Sequence, residues 1–396
     1  MSRRSARRPV VLFADTGTWQ GFLDLAAALR AHGVDVARVT VAPRSSSAST
    51  AQRIESHIFH RTHAVLPVPS DDEGDLRRSV DALRAALTPD VVDVQITDDL
   101  IPVGLRLPGT AADPRRLVAA EVDPMTLEDK WLQAEVAAAS GVRSPRAWQT
   151  PTASQFPVVV KARTGFGGRG VHIVHDDDEL ALAWERASSF DGRPPFVQEF
   201  HHRGVNANGI AREGQVLVAG YWVPELDPDH PTAPPVGASA VDDHHVRQAT
   251  EDFLRGVGYT GFFSLNFVLD DEDGAPLLID FNPRVSGTWA LLQELGVDYV
   301  SAYLHLIGQG PVPEPTPVRY GEPRRQLVVS RPPAATAADV RAWRRDTLSL
   351  VRERAGWLGS RWGRAMRAKV ELLAARELVR VVSRGGDAPV PEPATA

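Results

Sequence analysis

Asp280, Asn282 and Arg284 stand at alternate positions in the run LLIDFNPR. Side chains two residues apart on an extended strand point to one face, so these three groups would share a surface. A carboxylate beside an amide oxygen suits a hard cation such as Mg2+, which takes one or two protein oxygens and completes its octahedron with phosphate and water. An adjacent arginine can grip a phosphoryl oxygen or a carboxylate through two parallel hydrogen bonds. A half-buried strand with a solvated polar face would carry the same pattern.

A second cluster lies upstream. The glycine-rich run from Thr164 to Gly170 (TGFGGRG) follows a β-rich stretch ending in Lys161 and precedes another beginning at Val171. Glycines let successive backbone N–H groups approach phosphate oxygens and form an anion-binding nest, here with Gly167, Gly168, Arg169 and Gly170 at its centre. Lys161 adds a positive charge at the base of the loop. No Gly-Lys-Ser/Thr follows and the next element reads as a strand, so this is not a Walker A loop. Taken alone, such a loop can also be an ordinary hairpin turn.

These residues need elements to hold them. Residues 9–42 alternate an apolar run, a turn, a helical stretch from Phe22 to Ala31, a Gly33 stop and a second apolar run. That order predicts a β-α-β unit and a small doubly wound parallel sheet. VVDVQI and LVAAEVD suggest further strands or helix edges up to about residue 120. No GxGxxG is present, so a dinucleotide role has little support. Residues 126–140 predict a helix with Thr126 as N-cap and Gly141 as its stop. The stretch FPVVVKARTGFGGRGVHIV predicts two strands around the loop, followed by a helix from Asp177. From FVQEF to LLIDFNP the signals are those of an antiparallel sheet interrupted by one helix, Val241 to Gly256. Residues 310–335 are Pro-rich and predict a linker, and residues 337–383 predict Arg-rich helices.

Bulk properties narrow the classes. A chain of 396 residues is too long for one ordinary core and predicts two or three units. Its 43% hydrophobic and 24% charged residues are those of a globular protein, and a net charge of -6 argues against a general nucleic-acid binder. The absence of cysteine excludes disulfides, thiolate metal sites and cysteine nucleophiles, and fits a cytoplasmic location. No apolar run is long enough to span a bilayer, and VVLFA is too short for a signal-peptide core.

Taken in order, the motifs between residues 120 and 310 resemble the ATP-grasp superfamily, of the type found in biotin carboxylase and carbamoyl phosphate synthetase. Asp129-Lys130, opening a helix that runs to Gly141-Val-Arg-Ser-Pro145, is similar to one family stretch. Pro157 to Lys161 with GFGGRG resembles the phosphate-covering loop, Phe196-Val-Gln-Glu199-Phe200 the hinge strand, and Asp280-Phe-Asn282-Pro-Arg284 the metal strand.

The resemblance implies an α/β and α+β architecture. A Rossmann-like pre-ATP-grasp domain with a doubly wound parallel sheet would occupy 1–118, and a small ATP-grasp subdomain with its linker helix 119–192. The large subdomain would occupy 193–312, and a linker with a helical C-terminal tail 313–396. ATP and Mg2+ (or Mn2+) are the implied cofactors. Lys130, Lys161, the loop residues, Gln198, Glu199, Phe200, Asn206 and Val268 would hold the nucleotide, and Asp280, Asn282 and Asn266 the metal. Arg284 and Lys161 would act in the chemistry. Arg163 and Ser286 are further candidates for contact with an acid substrate.

Three departures stand out. Asn266 takes a position that is usually acidic, Asn206 one that is usually Glu, and Asp280 is shorter than the commoner Glu. The implied reaction is a carboxylate-amine ligation through an acyl phosphate, releasing ADP and phosphate, with an amino acid, peptide or small acid as substrate. The alternative is a nucleotide-binding module without turnover. The chain shows no biotin-carrier Met-Lys signature, which turns the reading away from carboxylation. The basic C-terminal helices could lie on an anionic membrane or a partner, but such a stripe more often packs on its own domain or on a dimer mate.

Overall fold

The computed structural model describes residues 8–15, 20–42, 50–67, 91–96, 124–150, 156–165, 168–226, 235, 237–314, 317–325 and 336–383. It divides into two compact units, one formed by residues 1–95 with 327–396, the other by 96–326.

In the first unit, β1 (Val10–Asp15), β2 (Asp35–Ala42), β3 (Arg61–Pro67) and β4 (Val91–Ile96) form a sheet ordered β3-β2-β1-β4. Strands β1, β2 and β3 run parallel. Val10 to Ala14 are buried without alternation, as expected of a strand covered on both faces. Helix α1 (Gln20–Ala31) makes the crossover between β1 and β2 and buries Phe22, Leu25 and Leu29, and α2 (Thr50–Ser56) precedes β3.

The Arg-rich C-terminal segment joins this unit. Its helices α8 (Ala337–Leu358) and α9 (Ser360–Ser383) are joined at Gly359, and α8 opens on a Thr336/Asp339 capping box. Their apolar stripe, including Val351, Leu358, Trp362, Met366 and Val370, is buried. Two buried charge clusters tie the helices down. Asp24 on α1 receives Arg354 at 3.3 Å and the Trp362 indole N–H at 3.0 Å. Glu55 on α2 receives Arg38 at 3.3 Å and Lys369 at 2.6 Å, the latter an ionic contact without the alignment of a directed hydrogen bond. No helix among the described residues is long and apolar enough to cross a membrane.

The second unit holds two antiparallel sheets. The first, ordered β5-β8-β6-β7, comprises β5 (Ala147–Trp148), β6 (Val158–Lys161), β7 (Val171–Val174) and β8 (Phe196–Glu199). Val158, Val160 and Val197 form one core with Leu180, Ala183 and Ala187 of helix α4 (Asp177–Asp191). By strand alternation, Val159, Lys161, Phe196 and Gln198 face the opposite way.

The second sheet is ordered β13-β12-β9-β10-β11-β14. Its strands are β9 (Arg203–Arg212), β10 (Gln215–Glu225), β11 (Gly237–Val241), β12 (Gly261–Leu269), β13 (Pro276–Asn282) and β14 (Pro323–Arg325). One face packs on α3 (Lys130–Ala139) and α5 (His244–Val257), with Val246, Phe253, Leu265, Phe267 and Phe281 in the core. Two short helices, α6 (Trp289–Glu294) and α7 (Tyr299–Leu306), follow β13.

Three expectations change. Helix α3 is capped by Asp129, whose carboxylate accepts from the N–H groups of Trp131 and Leu132, and Thr126 lies instead in a 3-10 turn, Pro124–Leu127. An aspartate held there by further ion pairs outcompetes a threonine three residues earlier. Helix α5 starts at His244 because Val241 is still paired in β11. The Pro-rich stretch contributes β14, an edge strand, which is where a sheet tolerates proline. The C-terminal helices belong with the N-terminal sheet. The run LVAAEVD lies outside the described residues.

Candidate functional site

Strand register builds the site. Across β9, β12 and β13, Asn206 pairs with Asn266 and Asn266 with Asp280; the next row is Asn208, Ser264 and Asn282. The β12–β13 register shifts between Asn266 and Phe267, which leaves Ile279 without a partner in β12. Asp280 Oδ2 accepts from Asn282 Nδ2 at 2.9 Å and from Asn266 Nδ2 at 3.4 Å. Arg284, just beyond the strand end, donates to Asn282 Oδ1 at 3.2 Å. Asp280, Asn282 and Arg284 therefore do share one face.

Two lysines reach this part of β13 from other elements. Lys130, the first residue of α3, places Nζ 2.5 Å from Asp280 Oδ1. Lys161, at the end of β6 and only 6% exposed, donates to Gln198 Oε1 at 2.7 Å and to the Ile279 carbonyl at 3.3 Å. The carbonyl of the residue at the register shift is thus the one that receives the lysine. Burial lowers the Lys161 pKa to about 8, with the neighbouring Lys130 charge acting in the same direction and Asp280 opposing both. At Asp280 burial is the strongest single influence and raises the pKa. The Lys130 charge and hydrogen bond, the Asn282 hydrogen bond and the Lys161 charge together outweigh it, holding the carboxyl below its usual range.

The glycine loop is rooted on the same elements. The Arg163 carbonyl accepts from Lys130 N–H at 2.8 Å, and the Arg163 guanidinium pairs with Asp129 at 2.9 and 3.0 Å. Arg163 is thereby turned toward the cap of α3. Thr164 is held by Asp191 at the end of α4. Gly168 and Gly170 have φ of 78° and 69°, in the left-handed region. A Cβ at Gly170 would also lie 2.8 Å from the Ala162 Cβ. Gly170→Ala is accordingly expected to destabilise the loop by about 1–3 kcal/mol, read as a lower melting temperature and weaker nucleotide binding by calorimetry. Gly33→Ala, also at positive φ but with open space around it, reports the backbone strain alone. Arg169 is exposed, and Gly167 lies outside the described residues.

The remaining expected contacts distribute unevenly. Gln198 is buried and fixed by Lys161. Glu199 is exposed, and its side chain turns back to the Arg146 N–H at 3.2 Å. Phe200 stacks edge-on with His202. Val268 and Ile279 are half-buried, as are Val159, Val171 and Ile173 on the strands around Lys161. A cavity of about 580 Å³ adjoins the cluster, with Lys130, Trp131, Ser144, Phe196 and Gln198 in its wall.

Sequence reasoning missed the buried cluster around Asn208. Asn208 is buried and best satisfied with its amide nitrogen toward Ser264 Oγ (2.9 Å) and its oxygen accepting from Ser286 (3.0 Å) and Thr288 (2.7 Å). Ser286 is thus committed to this cluster. Asn206 and Asn208 form an i, i+2 pair, a signal that could have placed both on one face. The role of Asp129 was equally overlooked.

One carboxylate beside two asparagines is a donor set that fits a single divalent cation, because an Asn amide presents either its oxygen or its nitrogen to a neighbour. Among the described residues no group of three or more His, Cys, Asp or Glu forms a denser metal centre.

Comparison with known proteins agrees with this architecture. Residues 130–198 match the family described as carbamoyl-phosphate synthase L chain, ATP binding domain. Pyruvate carboxylase of Schizosaccharomyces pombe is 29% identical over 172 residues, covering 40% of this chain and 14% of that protein. The carbamoyl phosphate synthase large chain of Beutenbergia cavernae is 26% identical over 186 residues, 41% of this chain and 17% of the other. The chain therefore matches only a small fraction of the length of these relatives. Among solved structures, the biotin carboxylase domain of Hydrogenobacter thermophilus 2-oxoglutarate carboxylase, crystallised with MgADP and bicarbonate, has a TM-score of 0.59 at 16% identity. That match covers 79% of this chain and 73% of the other. N5-carboxyaminoimidazole synthetase of Staphylococcus aureus has a TM-score of 0.57 at 12% identity, covering 85% of both chains. The fold is thus the one shared with these ATP-grasp structures, and residues 130–198 are similar to an ATP-binding domain.

Proposed function

We propose that this protein is an ATP-dependent ligase that activates a carboxylate as an acyl phosphate and transfers it to an amine, releasing ADP and phosphate. The observation that carries the reading is the pairing of Lys130 with Asp280 beside Lys161 on the adjacent Ile279 carbonyl, with Asn282 and Arg284 on the same face. Phosphoryl transfer demands charge neutralisation more than covalent participation, since the phosphate oxygens and the incoming carboxylate repel one another.

Lys161 and Lys130 supply fixed positive charge to the phosphates, and the N–H groups of the glycine loop add neutral donors. The half-buried apolar side chains around Lys161 offer a surface for the base, and the backbone just past the end of β8, at Phe200, offers hydrogen bonds to it. Asp280 and Asn282 would hold a divalent cation, which when bound neutralises phosphate charge. Arg284 orients the acid substrate. The substrate carboxylate attacks the γ-phosphorus as ADP leaves, and the amine then attacks the acyl carbon and expels phosphate. Closure of the glycine loop keeps water from the acyl phosphate.

The test is ADP release from ATP and Mg2+ over a panel of amino acids, peptides and small acids with amine acceptors, with hydroxylamine added to trap an acyl phosphate as its hydroxamate. Acid-dependent ADP release and hydroxamate are expected; their absence across the whole panel counts against the ligase. The neutral row Asn206–Asn266 favours a second reading, a nucleotide-binding module without turnover. Tight ATP binding with no ADP release, unchanged by Asn266→Asp, is its signature.

A further inference from the structure

We infer that the site of this chain works with a single divalent cation, with Lys130 supplying the positive charge that a second cation would otherwise bring to Asp280. The inference rests on the ATP reading above and deepens it. Two divalent cations in one phosphoryl-transfer site sit roughly 3.5–4 Å apart and need anionic oxygens to bridge them. Asp280 is the one carboxylate in the row that runs across β9, β12 and β13, and its two neighbours there are Asn206 and Asn266.

Both oxygens of Asp280 are already engaged. Oδ1 lies 2.5 Å from the Lys130 ammonium, and Oδ2 receives the amide nitrogens of Asn282 and Asn266. A neutral amide can turn and offer oxygen to a cation, so the Oδ2 side can take an ion together with Asn282. The Oδ1 side is different, because an ammonium has no acceptor and repels a second cation. Lys130 also cannot easily swing away. Its backbone N–H is bound to Arg163, it follows the Asp129 cap directly, and its side chain is 9% exposed.

Charge balance points the same way. Lys130, Lys161 and Arg284 bring three cationic groups to a face with one carboxylate. A triphosphate with one divalent cation therefore meets enough positive charge, and a second ion would add repulsion without a carboxylate to hold it.

The experiment counts Mn2+ on the full chain. Free Mn2+ is read by electron paramagnetic resonance in the presence of a saturating non-hydrolysable ATP analogue, whose own binding is followed by calorimetry. One tightly bound Mn2+ per protein–nucleotide complex is expected. Two bound ions overturn the single-cation inference and leave the ATP reading standing, whereas failure of the analogue to bind overturns both. The double variant Lys130→Met, Asn266→Asp is expected to raise the count to two, because it removes the ammonium from Oδ1 and places a second carboxylate beside Asp280. A folded double variant that still binds one ion overturns the parts assigned to Lys130 and Asn266. The wild-type count decides the inference even if the variant does not fold.

Discussion

Replacing Lys161 with methionine is expected to lower kcat/KM for ATP-dependent turnover by about 10²–10³-fold, the scale seen when one preorganised charge-stabilising donor is lost. Methionine keeps the length and apolar stem, so the effect isolates the ammonium. Buried side chains of this sort are held in one place, here by Gln198 Oε1 and the Ile279 carbonyl. The same lysine predicts a pH dependence. Its pKa in the free protein is lowered to about 8, chiefly by burial, against 10.5 for an ordinary lysine. The ammonium is the form that binds phosphate, so kcat/KM should fall as pH rises through about 8. Bound phosphates favour the charged form, which moves the alkaline limb of kcat to higher pH.

Stability should move in the opposite sense. Between the native and unfolded pKa values the unfolded chain binds more protons at this site, so stability rises with pH over that window. Below about pH 8 the cost of the buried charge is fully present. Lys161→Met should abolish both trends. A variant whose kcat/KM retains an unchanged alkaline limb would falsify the assignment of that limb to Lys161.

What could be read from the sequence was what local spacing controls. The i, i+2 pattern of Asp280 and Asn282 placed both on one face, and the two short strands flanking the glycine loop pair as the β6–β7 hairpin. Both are consequences of strand geometry, which repeats every two residues. The unread part depends on contacts between distant residues. Nothing local marks the register shift that presents the Ile279 carbonyl to Lys161, 118 residues away in the chain. Asp129 and Thr126 are both acceptable caps by type, and the choice is made by Arg163 pairing with Asp129. The destination of the C-terminal helices is set by Asp24 and Glu55, more than 300 residues upstream, and an amphipathic Arg-rich stripe does not name its partner.

That last connection carries the second large effect. Glu55 is fully buried between Arg38 and Lys369, which are 1% and 2% exposed. Glu55→Gln leaves Lys369 desolvated without its countercharge and removes one from Arg38, and breaking a buried ion pair in this way typically costs about 3–5 kcal/mol. The expected result is a lower urea midpoint for the first unit, with faster amide exchange in α2 and α9, where Glu55 and Lys369 reside. Exchange in β12 and β13, which belong to the other unit, should change far less. If the cost comes from uncompensated charge and not from lost packing, the triple variant Arg38→Met, Glu55→Leu, Lys369→Met should recover most of it, since an apolar replacement of a buried ionic cluster is often neutral or stabilising. A triple variant no more stable than Glu55→Gln alone would assign the effect to shape, and the buried charges would then be incidental to how α9 is held.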